Sequence, residues 1–190
     1  MTKIFQYAGI FASVVLIAFG AGCIFTGFNG RDRVHNDLAA EQIVGTPDSS
    51  IPNQLVDNGT KAEAFAKVMR KHTLEATGGQ TYAQMPHYLS QDGKPTADVK
   101  LAAVDPKSGK PVDNPARNIW VSETALTGAL HSAYFAESVA TFAIVMGFAL
   151  VITGGGFLVL AFRVLPRVRE EDATESVAVS AAPGKVALTS

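Results

Sequence analysis

Two runs without a single charged side chain, residues 4–30 and 138–162, enclose a polar stretch of about a hundred residues. A hydrocarbon layer takes ~20 residues of α-helix, and only a helix or a closed barrel satisfies its own backbone there. Both runs exceed that length, so the pattern predicts a protein of the cell membrane that crosses it twice. The expected fold is mainly α: a two-span transmembrane helical hairpin whose long helices extend into a small, helical, loop-rich extracytoplasmic domain. Residues 1–3 form a short cytoplasmic N-terminus, 4–30 the first span, 31–137 the extracytoplasmic domain, 138–162 the second span and 163–190 a cytoplasmic tail.

Orientation follows from basic residues near the spans. Arg163, Arg167 and Arg169 follow the second run directly, while its other flank has Glu123 and Glu137 and no basic residue nearer than Arg117. That places both termini in the cytoplasm. Arg31 and Arg33 outnumber Lys3 across the first run, but Asp32 and Asp37 offset them. The first run is too long for the apolar segment of a cleaved signal peptide, so it reads as an anchor. Gly20-Ala21-Gly22-Cys23 has only a partial likeness to a lipoprotein cleavage box.

Residues 31–137 hold 11 Lys and Arg against 13 Asp and Glu, so no basic surface points to nucleic acid. Cys23, the only cysteine, lies in the first run, which excludes an intrachain disulfide and a cysteine-based zinc site.

Along the chain, helix-forming residues 37–43 extend the first helix outward until Gly45, Pro47 and Asp48 stop it. Thr60 and Glu63 have the spacing of a capping box for a helix over residues 61–77, with Phe65, Val68, Met69 and His72 on its apolar face and Gly78-Gly79 as its stop. Two Gly-Lys-Pro turns, at Gly93 and Gly109, flank residues 97–104, which read as a short strand or loose hairpin. Ser122 reads as the cap of a helix that runs unbroken to about residue 165. The tail from residue 170 is acidic, then rich in Ala and Ser, and is expected to be disordered.

Small residues mark where helices touch in lipid. Ser132, Ala136, Ala140, Ala143 and Gly147 recur every three or four positions in the second helix, and Ala18, Gly22 and Thr26 in the first. These eight form the candidate helix-packing interface, within the chain or between chains. Gly154-Gly155-Gly156 predicts a bend or a close helix contact.

The run from Arg70 to Met85 (RKHTLEATGGQTYAQM), followed by Ala125 to His131 and Tyr134-Phe135-Ala136-Glu137 leading into the second span, resembles a family of small two-span actinobacterial proteins. That family is often labelled aromatic ring-opening dioxygenase. The likeness covers most of residues 38–165, with 91–112 as an insertion. It implies lineage and topology, and no catalytic residue.

A non-haem iron oxygenase needs two histidines and a carboxylate on one face of the metal. The candidate metal ligands are His72, Glu75 and His87. His72 and Glu75 share a helical face, whereas His87 lies beyond the Gly-Gly stop; there is no His-x-His or Glu-x-x-His. Neither run carries an ionisable group of the kind that marks a proton or ion pathway. The expectation is therefore a non-catalytic membrane subunit, without a cofactor, packed with copies of itself or with a larger envelope complex. A small-ligand binding or sensing protein is the alternative, and the metal oxygenase of the family label is a second.

Overall fold

In the computed structural model, which describes residues 2–164, the chain is mainly helical. Met1 and the tail beyond residue 164 lie outside the described residues, and with them most of the expected cytoplasmic tail. Helix α1 spans Thr2–Ala40, α2 spans Gly59–Ala76 and α3 spans Ala116–Val159, ending in a π-helical turn, Leu160–Val164. A two-residue pair, β1 (Tyr88–Leu89) and β2 (Pro95–Thr96), lies between α2 and α3. Both α1 and α3 are long and apolar enough to cross a membrane, and the most apolar window of each is only 11% buried. That exposure is the reverse of a soluble protein's core helix and suits a surface facing hydrocarbon.

The chain forms two compact units: one of residues up to Phe28 and from Thr141, the other Asn29–Ala140. In the first unit, α1 and α3 meet along a seam of small residues. Ser13, Gly20 and Gly27 recur every seven positions on α1, and Gly147, Gly154 and Ala161 do so on α3; all six are buried. A seven-residue repeat keeps one side of a helix turned to its neighbour, and small side chains let the backbones approach. A Cβ added at Gly20 would lie 2.7 Å from the Gly147 carbonyl oxygen, and one at Gly147 would lie 2.6 Å from that of Gly20. Gly154 fits against Ser13 and Ile17 in the same way, which makes the glycine triplet a close contact at its first member. The Ser13 hydroxyl donates to the Gly9 carbonyl at 2.7 Å, so its burial leaves no polar group unsatisfied.

The second unit is built around Leu38, Val56, Ala62, Ala66 and Leu130, with Val34, Ile43, Phe65 and Met69 packed against them. Helix α1 stops at Ala40, and Gln42 takes a positive φ of 53° to turn the chain. Residues 43–56 then double back, with the Val56 amide bonded to the Ile43 carbonyl at 2.8 Å. Gly45 is required there because a Cβ would collide with the Ile51 carbonyl.

The caps differ from those read in the sequence. Asn58, with extended backbone, accepts from the Lys61 amide and caps α2, so Thr60 lies inside the helix and makes no capping box. On the apolar face of α2, Val68 is buried and Phe65 and Met69 pack against the core as expected, joined by Ala62, Ala66 and Thr73, whereas His72 stands off it with its side chain 43% exposed. Helix α3 begins six residues before Ser122: the Asn114 side chain accepts from the Ala116 amide, and Pro115 supplies a preset φ at the start. Ser122 is an exposed residue within the helix. The C-terminal stop of α2 is as expected, with Gly78 and Gly79 at φ 63° and 78° and the Gly79 amide bonded to Leu74 at 2.7 Å.

Both Gly-Lys-Pro turns close hairpins. Gly93 turns β1 into β2, and Gly109 brings Val104 opposite Pro111. Residues 97–104 form no strand of their own and contribute single bridges at Ala102 and Val104.

The seam makes a paired prediction. Gly20→Val should destabilise the protein in mild detergent by roughly 1–3 kcal/mol through overpacking. Gly22→Val, where nothing lies within 4 Å, should change the unfolding midpoint little. Thermal unfolding of the two variants beside the parent checks both.

Candidate functional site

One polar cluster in the second unit is built on Glu137, the last charged residue before the second apolar run. Its Oε1 accepts from Arg31 Nε at 3.1 Å and from His35 Nε2 at 2.9 Å, and its Oε2 accepts from the Gly59 backbone amide. Arg31 and His35 lie one helical turn apart on α1, so i,i+4 spacing delivers both to one carboxylate. Gly59 is the first residue of α2, where backbone amides have no partner within the helix and an anion is favoured. One side chain of α3 therefore fastens the other two helices. The fit excludes a side chain at position 59, where a Cβ would lie 2.8 Å from the Tyr134 Cα.

The Glu137 side chain is only 14% exposed. Burial pushes its carboxyl up, but the hydrogen bonds from His35 and the Gly59 amide and the charges of His35 and Arg31 outweigh burial and hold it below the usual glutamate range. Asp57, next to the α2 cap, is lowered by its 2.9 Å bond to Lys61 and feels the charge of His35.

A second cluster ties the 46–49 turn to α2. Asp48 Oδ2 accepts from Lys71 Nζ at 2.8 Å and His72 Nε2 at 2.9 Å, and its other oxygen accepts from Thr46 at 2.8 Å. The bonds from Lys71 and His72 hold the Asp48 carboxyl well below its usual range, and Asp48 raises Lys71. Since Asp48 is solvated, this tie is a weak surface pair.

The metal candidates are parcelled out to separate partners. His72 is engaged by Asp48, Glu75 lies 3.9 Å from Lys71, and the His87 ring lies tilted 43° to that of Tyr88 with centroids 6.0 Å apart. Among the described residues no three His, Cys, Asp or Glu side chains form a group able to hold a metal. His87 instead lines a small polar cavity of about 180 Å³ with Tyr82, Asp113, Asn114, Arg117 and Asn118. Arg117 closes one wall, donating to the Tyr82 and Met85 carbonyls with its guanidinium 3.9 Å from the Tyr82 ring centroid. Nearby, Trp120 is buried, donates to the Gln80 carbonyl and lies under Arg70 at 5.1 Å.

The eight packing candidates divide. Ala140 and Gly147 are buried and Ala143 half-buried, with Ala140 against Gly30 and Gly147 against Gly20. Ala18, Gly22, Thr26, Ser132 and Ala136 all face outward. Sequence reading does not bring the Glu137 cluster together, although a signal exists: His35 and Glu137 each lie just beyond the end of an apolar run that faces the polar segment, where paired helices bring such residues level. No protein-family model matches this chain, and neither a curated protein nor a solved structure matches it.

The lowered Glu137 carboxyl sets the sign of a pH effect. Its contribution is complete above the ordinary glutamate value and is lost as pH falls through the lower folded value. Glu137→Ala should cost about 2–4 kcal/mol near neutral pH by leaving the Gly59 amide and Arg31 unpartnered. The difference from the parent should shrink as the pH is lowered, measured by thermal unfolding in detergent across a pH series.

Proposed function

We infer that this protein is a non-catalytic, two-span subunit of the cell membrane that packs against a further transmembrane protein, either a copy of itself or a member of a larger envelope complex. Both termini are cytoplasmic in this reading, residues 31–137 are extracytoplasmic, and kinship with the actinobacterial two-span family is part of it. The carrying observation is the outward side of α3. Val121, Ala125, Gly128, Ser132, Phe135 and Ala136 are all exposed there, and none is charged.

Helix length makes that face informative. Residues 138–162 already span about 37 Å at 1.5 Å per residue, enough for a hydrocarbon layer of ~30 Å. The uncharged face runs on for about 24 Å beyond it. A helix bordering water carries charge on its outer side. Between Arg117 and Arg163 the only Asp or Glu residues are Glu123, which is buried, and Glu137, which is bonded inward. Small residues at 128, 132 and 136 admit a neighbouring backbone, and Ala18, Gly22 and Thr26 offer a similar outward stripe on α1.

A small-ligand reading is favoured by one observation, the polar cavity beside His87 and Arg117. Its size suits a handful of heavy atoms, and a thermal-shift screen of small polar metabolites against the purified chain decides it. The oxygenase implied by the family label has no three-residue ligand group among the described residues to support it.

Extraction in mild detergent followed by mass determination tests the subunit reading. The expected particle is larger than one chain. Gly128→Leu, placed where nothing lies within 4 Å, should release the partner while leaving the unfolding midpoint near the parent's. A parent protein that is a lone monomer in native membranes contradicts the proposal.

A further inference from the structure

We propose that Glu137 is an acid-operated latch: ionised, it clamps the first turn of α2 to α1 and α3, and protonated, it frees that turn while the rest of α2 stays packed. The geometry divides the labour in this way. The first turn of α2 is held through the Gly59 amide on Glu137 Oε2, whereas the middle of α2 is held by Ala62 and Ala66 in the apolar cluster with Leu38, Val56 and Leu130. Only the former attachment depends on carboxylates, Glu137 itself and the neighbouring Asp57 that pairs with Lys61.

The surroundings decide the direction. From α1, Glu137 faces Arg31 and His35; from α2 and its cap it faces the Gly59 amide, with the Asp57 and Lys61 pair next to it; from its own helix it has Tyr134. Among the described residues no second carboxylate bonds to any of its three donors. Every direct partner is a donor, so a proton on Glu137 removes the charge that attracts Arg31 and the helix terminus and places an O–H where one of the donors now points.

Gly59 makes the latch separable from the fold. A methyl at that position would lie 2.8 Å from the Tyr134 Cα and 2.9 Å from Glu137 Oε2, so Gly59→Ala pries the turn open with the carboxylate intact. Glu137→Gln mimics the protonated form and leaves the shape unchanged.

Amide hydrogen exchange of the full chain in lipid nanodiscs, corrected for the intrinsic pH dependence of exchange, tests the proposal. In the parent, residues 59–61 should be protected near pH 7 and lose protection about tenfold or more by about pH 3, while residues 66–74 keep theirs. Glu137→Gln should expose residues 59–61 at both pH values, and Gly59→Ala should do so near pH 7. Equal protection of residues 59–61 in the parent at the two pH values overturns the latch, as does parent-like protection in Glu137→Gln. Simultaneous loss along all of α2 also overturns it, because acid would then be unfolding the unit and not releasing a catch.

Discussion

The architecture depends on two helix backbones approaching each other more closely than ordinary side chains allow. Between helices long and apolar enough to cross a membrane, lipid supplies no hydrophobic drive, and pairing there rests on close packing. Gly20 against Gly147 and Gly154 against Ser13 provide it, each with space for a hydrogen and none for a methyl. Because small residues recur at seven-residue intervals, the contact is a continuous seam and not a single crossing point. The bulky residues are displaced outward: Phe11, Phe19, Phe25, Phe142, Phe148 and Ile152 are all exposed. One arrangement thus gives both the pairing and an outer surface suited to hydrocarbon.

The second unit uses different chemistry. Its apolar cluster is small, five buried residues with a few half-buried neighbours, and much of its order comes from backbone groups held by side chains. Asn58 and Asn114 cap helices, Arg117 and Trp120 hold the 80–85 loop by its carbonyls, and Glu137 holds the start of α2. Such bonds are directional, so the unit has a defined shape without a large core. Along α3 between Arg117 and Arg163, the only carboxylates are Glu123, which is buried, and Glu137, which is bonded inward.

The two apolar helices, the Gly78-Gly79 stop and the turns at Gly93 and Gly109 were legible in the sequence because each follows from local chemistry: run length, or a φ that glycine tolerates. The helix starts were less so. Thr60 and Ser122 are plausible caps, but Asn58 and Asn114 lie a few residues upstream and win because their side chains reach free amides. The small-residue stripe was visible as composition and not as direction. Ser132 and Ala136 look continuous with Ala140, Ala143 and Gly147 in a linear pattern, yet the first two face outward and the others face inward. The buried side of a helix changes where its neighbours change, and spacing alone does not carry that. The Glu137 cluster joins residues 31, 35, 59 and 137, a set that no local window contains.

The seam is tested most directly by cysteine pairs placed across it. The Cβ atom at position 9 would lie 3.6 Å from that of Ala161, and the one at position 30 would lie 3.7 Å from that of Ala140, both within disulfide range. In a Cys23→Ser background, the doubly substituted chains Gly9→Cys with Ala161→Cys, and Gly30→Cys with Ala140→Cys, should each close an intrachain disulfide in native membranes under mild oxidation, seen as a reducible shift in mobility on denaturing gels. Pairs that stay reduced, or that cross-link only between chains, would contradict the seam and the pairing of α1 with α3.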